Sequence, residues 1–158
     1  MDEVEGIWQG LAERYPVLEG CREDIMEAYH EMRESFARGG KLLICGNGGS
    51  SADAQHIVGE LMKELRLHRA VPEEFAAACR RLYPGQGLEE KLQGALPAIA
   101  IGVNPAFSSA YANDVAPEMA YAQEVLGYGR PGDVLLGLST SGNSGNVINA
   151  VKTARAAG

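Results

Sequence analysis

The stretch Leu135-Gly-Leu-Ser-Thr-Ser-Gly-Asn-Ser144 decides the fold. An apolar run over 134–138 is typical of a buried strand, and a helical pattern follows over 146–157. The free N–H groups and the positive dipole end of a first helical turn attract an anion, and hydroxyl groups add donors. We therefore expect a phosphate-binding loop, although an ordinary helix N-cap within a turn is the alternative. The expected contacts are Ser139, Thr140, Ser141 and Ser144.

A second segment repeats this design nearer the N-terminus. The apolar run 41–45 is followed by Gly46-Asn-Gly-Gly-Ser-Ser51 and by a helical pattern over about 51–66. It is neither a dinucleotide fingerprint nor a P-loop, because G-x-G-x-x-G and a Gly-Lys-Ser/Thr ending are absent. Its glycines allow a ligand to approach the backbone closely. Two strand–loop–helix units predict one crevice above a parallel sheet, with contacts from Asn47, Gly48, Gly49 and Ser50.

Composition limits the class of protein. A chain of 158 residues with 46% hydrophobic residues is long enough for one domain with one core. The net charge of −7 argues against nucleic acid or an anionic membrane as a partner. No apolar run approaches the length of a membrane span, and the first residues are acidic, so we expect neither a span nor a signal peptide. Cys21, Cys45 and Cys79 are widely spaced, which predicts reduced thiols and a cytoplasmic protein.

The rest of the chain predicts an alternation of helices and strands within a single domain, residues 1–158. Two amphipathic helices, over 3–14 and 20–38, form an N-terminal segment within residues 1–40. Further strands are predicted at 97–101 and 133–138, with a broken helix over 106–127 between them. Only three parallel strands are visible, which leaves an edge where more strands would pair. We therefore expect the chain to be truncated at its C-terminus.

His56 and Glu60 lie four residues apart on the helix that leaves the first glycine loop. This spacing places both side chains on one helix face, one turn apart. Imidazole and carboxylate together suit a divalent metal such as zinc, but two ligands make only half of a tetrahedral site. Glu60 is also the best candidate for a proton-transfer group. A structural histidine and a solvated glutamate are the alternatives.

Three runs of sequence, in this order and spacing, resemble the sugar isomerase (SIS) family. They are Cys45–His56, Asn113-Asp114 and Gly129–Ser144. Within that family the resemblance is to the phosphoheptose isomerases, and it covers nearly the whole chain outside the partly helical segment 66–96. It implies a three-layer α/β/α fold, in which a parallel sheet is flanked by helices. Family members normally continue with two more strands and a long final helix, and they connect the elements around 66–96 by a much shorter link.

The resemblance also implies a function and a set of site residues. The expected reaction is the aldose–ketose isomerisation of sedoheptulose 7-phosphate to a heptose 7-phosphate through an enediolate, with Glu60 as the acid–base group. His56 and Glu60 are the implied zinc ligands, and the remaining two, a Gln and a His, belong to the final helix. Asn113 and Asp114 are implied to touch the sugar, with a helix cap or turn as the alternative. The family implies a homotetramer with a phosphosugar substrate.

Two other functions are compatible with these motifs. One is a non-catalytic SIS protein that binds a protein partner, as does the relative that associates with a replication initiator. That relative has a serine where this chain has Glu60, so the presence of both His56 and Glu60 favours the enzyme. The other is a phosphosugar sensor, which usually adjoins a DNA-binding helix-turn-helix domain. Nothing basic enough for such a domain precedes residue 40.

Overall fold

The computed structural model describes residues 3–158, and the chain divides into two units, residues up to 34 and residues 35–158. The first unit contains α1 (Glu3–Arg14), a 3-10 helix (Pro16–Cys21) and most of α2 (Arg22–Ala37). Within it, the Arg22 guanidinium lies 2.8 Å from the Glu5 carboxylate and 5.8 Å from the centroid of the Trp8 ring. The two predicted N-terminal helices are therefore present, and Pro16 begins the short 3-10 turn between them.

The second unit is built on a parallel sheet. Its strands are β1 (Leu42–Gly46), β2 (Ala98–Ala100) and β3 (Val134–Leu138). Its helices are α3 (Gly49–Met62), α4 (Glu73–Leu82), α5 (Leu88–Lys91), α6 (Pro105–Asp114), α7 (Ala120–Tyr128) and α8 (Gly145–Ala157). All three predicted strands are present, within one or two residues of the predicted bounds. Among residues 3–158, no helix combines the length and the apolar character needed to cross a bilayer.

The strand order is β2-β1-β3, so β1 occupies the centre and β3 an edge of the described sheet. Leu42 is opposite both Ala98 and Val134, and Gly46 at the end of β1 is opposite Leu138. Every residue of β1 is buried. A continuous apolar run is what a parallel strand needs when both of its faces are covered.

Helices cover both faces of this sheet. Leu43 and Cys45 belong to a core cluster with Tyr121 and Val125 of α7 and Val147 of α8. Because side chains alternate along a strand, Leu42 and Ile44 point to the opposite face, and α3 packs against all three strands. The second unit is thus a three-layer α/β/α arrangement, as predicted. Burial raises the pKa of the Cys45 thiol to about 11, and the Glu124 carboxylate adds to the effect, so Cys45 remains a neutral core side chain.

Asp133 holds together the first residues of β1 and β3. Its carboxylate accepts hydrogen bonds from the backbone N–H of Lys41 at 2.9 Å and of Arg130 at 2.7 Å, and it pairs with the Lys41 ammonium. Burial of this carboxyl opposes its ionisation, but the hydrogen bonds from Lys41 and Arg130 outweigh that effect and the pKa of Asp133 is lowered. The pairing of β1 with β3 is therefore fixed at its amino end by one ionised side chain.

One predicted boundary is wrong: α3 ends at Met62 rather than near residue 66. The Arg69 guanidinium donates to the carbonyl of Leu61 at 2.8 Å and also to the carbonyl of Lys63. These contacts satisfy carbonyls at the helix end, and the chain is already extended at Lys63. The residues after Met62 are good helix formers, so local sequence does not reveal this end.

The segment 66–96 is partly helical, in agreement with its composition, and it folds back onto the end of α3. The backbone N–H of Leu96 donates to the carbonyl of Leu61 at 3.0 Å, and the N–H of Gly94 donates to the carbonyl of Arg69 at 2.7 Å. Within the segment, Arg80 of α4 forms ion pairs with Glu73 and Glu89. The segment returns the chain to the start of β2.

Candidate functional site

The first loop, residues 46–51, is shaped by close contact between its own residues. A Cβ added at Gly46 would lie 2.7 Å from the Ser50 Cβ and 2.8 Å from the Ser50 backbone. Gly48 has φ +55°, a conformation that other residues rarely adopt. The chain can therefore turn directly from β1 into α3, which begins at Gly49. The positive end of the α3 dipole then lies beside the carboxyl end of the central strand.

The second loop, residues 139–144, is held by its own hydroxyl groups. The Ser139 Oγ lies 3.0 Å from the Ser144 Oγ and 3.4 Å from the Ser141 Oγ. Ser141 also accepts a hydrogen bond from the backbone N–H of Asn143 at 3.2 Å, and Gly142 turns the chain with φ +68°. Ser144 precedes α8 but makes no side-chain cap, so its hydroxyl is not used in the way that an N-cap would use it.

The two loops open onto one cleft of about 660 Å³. Its lining combines one hydroxyl of the first loop, two of the second loop, and one face of α3; the residues are Ser50, Asp53, His56, Ile57, Gly137, Leu138, Ser139 and Thr140. The predicted crevice at the carboxyl end of the sheet is therefore present. An anion seated there would meet hydroxyl donors from both loops and the N-terminal end of α3.

Farther along α3, His56 and Glu60 come together as their spacing predicts. The His56 Nε2 lies 3.4 Å from the Glu60 Oε1, and the Lys63 ammonium donates to the Glu60 Oε2 at 2.9 Å. The hydrogen bond from Lys63 is the main cause that lowers the pKa of Glu60, and the charge of Lys63 and the contact with His56 add to it. Glu60 is therefore a carboxylate at neutral pH, the form that accepts a proton or binds a cation.

A second pocket, of about 500 Å³, continues from the cleft along the same helix. The two spaces share His56 and Ile57, and Glu60 lines only the second. The other lining residues are mostly aliphatic or basic: Leu61, Leu65, Arg66, Leu67 and Arg69. His56 and Ile57 thus lie between the loop cleft and the pocket that contains the Glu60 carboxylate.

The His56–Glu60 pair fits half of a zinc site. Two ligands of one tetrahedral zinc ion, each about 2.0–2.1 Å from it, lie about 3.4 Å apart, which is the separation of these two side-chain atoms. Within residues 3–158, however, the fold brings together no group of three or more His, Cys, Asp or Glu side chains suited to a metal. Any zinc ion held here would need further donors.

A family model described as the SIS domain matches residues 12–95 and 76–158. The chain belongs to the SIS domain family. Among curated relatives, the phosphoheptose isomerase of Rhodospirillum rubrum is 36% identical over 99% of this chain and 71% of that protein. The phosphoheptose isomerase of Crocosphaera subtropica is 43% identical over 76% of this chain and 49% of that protein. The chain thus spans about half of the length of the Crocosphaera relative and about seven tenths of the length of the Rhodospirillum relative.

Solved structures give the same family relationship. A phosphoheptose isomerase from Neisseria gonorrhoeae matches with a TM-score of 0.64 and 31% identity, over 97% of this chain and 69% of that chain. One from Francisella tularensis matches with a TM-score of 0.67 and 25% identity, over 99% of this chain and 72% of that chain. The α/β/α arrangement described above is therefore the SIS fold, as the sequence motifs predict.

Asn113 and Asp114 are the residues predicted to contact the sugar. Both are exposed at the C-terminal end of α6, where the Asn113 amide donates to the Asp114 carboxylate at 2.8 Å. Neither lines the cleft or the second pocket. Their assignment as sugar contacts stays a prediction.

Sequence reasoning missed several residues of this SIS site. Asn146 lies just after the second loop, and its side chain exchanges hydrogen bonds with that of Asn47 in the first loop. Lys63 pairs with Glu60 from three residues farther along the chain, a spacing that could have been recognised. Arg69 reaches the end of α3 only because the segment 66–96 folds back, and no local pattern predicts that contact.

Proposed function

We propose that this protein is a phosphosugar isomerase that interconverts sedoheptulose 7-phosphate and a heptose 7-phosphate. The observation that carries the proposal is the ionised Glu60 carboxylate, which lies one helical turn beyond His56 and along α3 from a cleft lined by loop hydroxyls. The relatives and solved structures named above as phosphoheptose isomerases support the choice of substrate. The presence of both His56 and Glu60 also favours an enzyme over a protein-binding role.

The expected reaction needs one positioned base and no external oxidant. Glu60 removes a proton from C1 of the open-chain ketose, and the C–H electrons form a C1–C2 double bond while the C2 carbonyl oxygen takes up a proton. The enediol then loses the proton of its C1 hydroxyl, and C2 receives a proton from Glu60. C1 is thereby oxidised to an aldehyde and C2 is reduced to an alcohol. A single carboxylate suffices if the enediolate is stabilised and water is kept out.

The phosphate would be held by the two loops, away from the reacting carbons. Ser50, Ser139 and Thr140 line the cleft, and we assign Ser141, Ser144 and the backbone of Asn47, Gly48 and Gly49 to the same task. Asn113 and Asp114 are proposed to contact the sugar hydroxyls. Binding the phosphate at a distance from C1 orients the carbon chain toward Glu60, so the binding free energy contributes to positioning.

We propose that zinc is held by His56 and Glu60, together with donors outside the described residues. When bound, the ion would polarise a carbonyl or hydroxyl oxygen of the sugar. The 3.4 Å separation of the two side-chain atoms supports the assignment. Lys63 pairs with the other oxygen of Glu60 at 2.9 Å and lowers the pKa of the carboxyl group, which favours the carboxylate form that can accept a proton.

We also propose a cytoplasmic homotetramer. The first unit carries large apolar side chains in solvent, among them Ile7 at 64% and Val17 at 83% exposure, and such surface is typical of an association face. The free thiols of Cys21, Cys45 and Cys79 suit a reducing compartment. Sedimentation at micromolar concentration tests the tetramer, and a monomer alone would contradict it.

Replacement of Glu60 tests the function. In the full-length protein, Glu60→Gln should lower kcat for sedoheptulose 7-phosphate by a factor of about 100 or more, because the amide keeps the size but cannot accept a proton. Phosphate affinity should be nearly unchanged. The matched control is Glu64→Gln, since Glu64 is also paired with a histidine four residues away but lies outside both pockets. Near-normal turnover in Glu60→Gln would disprove the mechanism.

The zinc content of a His56 variant tests the assignment of His56 as a zinc ligand. His56→Ala should lower the zinc content of the purified protein along with its activity, because one of the two proposed ligands is removed. His68→Ala is the control, since His68 pairs with Glu64 and should not affect zinc content. Equal zinc in all three proteins would rule out His56 as a ligand.

A further inference from the structure

Tyr121 reaches the first loop from the core. It belongs to α7 and is only 9% exposed, yet its hydroxyl lies at the carboxyl end of β1. The single hydrogen of the hydroxyl is shared between two acceptors, the Gly46 carbonyl oxygen at 2.7 Å and the Asn47 Oδ1 at 3.1 Å. Gly46 is the last residue of the central strand and Asn47 the next residue of the loop. One buried hydroxyl thus contacts both the backbone and the side chain at the point where the first loop begins.

The Tyr121 ring is positioned by packing and does not depend on its hydroxyl for its orientation. A Cβ added at Gly102 would lie 2.1 Å from the Tyr121 Cε1, so the ring packs directly against bare backbone. Gly102 is itself held by Glu124, one turn farther along α7, whose carboxylate accepts its N–H at 2.6 Å. Leu43 and Cys45 pack against the same core cluster. Removing the hydroxyl should therefore leave the ring in place.

Asn47 connects the first loop to the second. Its Nδ2 donates to the Asn146 Oδ1 at 2.9 Å, and the Asn146 Nδ2 donates back to the Asn47 Oδ1 at 2.8 Å. The Asn146 Oδ1 also accepts the backbone N–H of Val147 at 3.0 Å. The pair joins residues 99 positions apart and bridges the two loops above the point where Gly46 and Leu138 are opposite each other in the sheet.

We propose that Tyr121 is a positioning residue for the phosphosugar site, which aligns the two loops by orienting Asn47 and, through Asn47, Asn146. This inference rests on the proposed function, since it assumes that both loops hold one phosphate. Asn47 is exposed and Asn146 partly exposed, and the hydrogen bonds between them lie at the surface, so water competes for them. The Tyr121 hydroxyl, by contrast, reaches this pair from the buried core. It thereby sets the separation of the hydroxyl groups that line the cleft.

Tyr121→Phe in the full-length protein tests the proposal. A hydrogen bond of this kind changes an equilibrium by about three- to tenfold, so the dissociation constant for inorganic phosphate and the KM for sedoheptulose 7-phosphate should rise by about that factor. The kcat should change by less than about twofold, because the phosphate is bound in the ground and transition states alike. The control is Tyr111→Phe, which removes a hydroxyl that bonds Gln123 away from the loops and should change neither constant.

A double-mutant cycle separates positioning from a general structural effect. Asn146→Ala should weaken phosphate binding by itself, and adding Tyr121→Phe should then weaken it little further, since both act through Asn47. Independent factors that multiply would overturn the proposal. So would a Tyr121→Phe protein that binds phosphate as the unmodified protein does.

One readout does not depend on the proposed function. In NMR spectra without ligand, Tyr121→Phe should shift the side-chain amide resonances of Asn47 and Asn146, whereas Tyr111→Phe should not. If the unmodified protein lacks isomerase activity, the proposed function is wrong. The positioning role of Tyr121 is then still tested by the phosphate affinity and by these amide resonances. Unchanged Asn146 resonances in Tyr121→Phe would overturn the inference even if the enzyme is active.

Discussion

The first loop leaves a strand that is buried at every position, whereas the second loop leaves an edge strand whose side chains are partly exposed. Gly46 packs against the Ser50 backbone, and its carbonyl oxygen accepts a hydrogen bond from the Tyr121 hydroxyl. The start of the first loop is therefore bonded to a side chain of the core. The second loop is held by bonds among its own serines, with Ser139 at their centre. The first loop thus combines a close contact between its own residues with a hydrogen bond from α7, whereas the hydroxyl groups of the second loop bond to residues of that loop.

This difference predicts how each loop responds to mutation. A side chain added at Gly46, where the first loop begins, should cost stability, because the Ser50 backbone leaves it no space and would have to move. Changes in the second loop should affect ligand binding while leaving the fold intact, because its hydroxyl groups face solvent or one another. Gly46→Ala and Ser141→Ala test this contrast, and Asp133→Asn provides a reference at the amino end of the same strands; they follow in order of the expected effect on stability.

Gly46→Ala should destabilise the protein by roughly 1–3 kcal/mol, because the new methyl group would meet the Ser50 backbone and over-pack the turn. Urea unfolding followed by circular dichroism measures the change. The control is Gly145→Ala at the start of α8, where an added Cβ meets nothing within 4 Å. That substitution should leave stability unchanged or raise it by up to about 1 kcal/mol. Equal unfolding curves for the two variants would remove the contrast between the loops.

Asp133→Asn should cost about 1–2 kcal/mol at pH 7, because the ionised carboxylate that joins the starts of β1 and β3 is lost. The folded-state pKa of Asp133 is lowered from its ordinary value of 3.8, so its contribution is complete above that value and disappears as the pH falls through the lowered pKa. The difference in unfolding free energy should stay constant from about pH 5 to 8 and shrink below about pH 4. A difference that grows in acid would contradict the assignment.

Ser141→Ala should change the unfolding free energy by no more than about 0.5 kcal/mol, since Ser141 is exposed and its bonds stay within the second loop. Phosphate titration followed by amide chemical shifts over 139–146 should nevertheless reveal weaker binding. If phosphate shifts no amide resonance within 139–146 in the unmodified protein, the predicted phosphate site is wrong. A large loss of stability in Ser141→Ala would instead show that the second loop is as integral to the core as the first.

The loops illustrate which parts of the site could be predicted. Both were recognisable because glycine and hydroxyl residues directly follow apolar runs, and that local order is enough to indicate a strand, a turn and a helix. His56 and Glu60 were predictable because helix geometry places residues four apart on one face. Lys63 has an equally local spacing and could have been included. Tyr121 could not, since its importance depends on where α7 packs.

Local sequence by itself determined the parallel strands, their two ligand-ready loops and the face of α3 that carries His56 and Glu60, because periodicity and turn chemistry act over a few residues. Only the tertiary structure decided that α3 ends at Met62, that Asn47 meets Asn146 and that Tyr121 contacts the first loop. The two loop contacts join residues 99 and 75 positions apart, and the end of α3 depends on the segment 66–96 folding back onto it. Their formation depends on how whole helices pack on the sheet, and no short pattern encodes that arrangement.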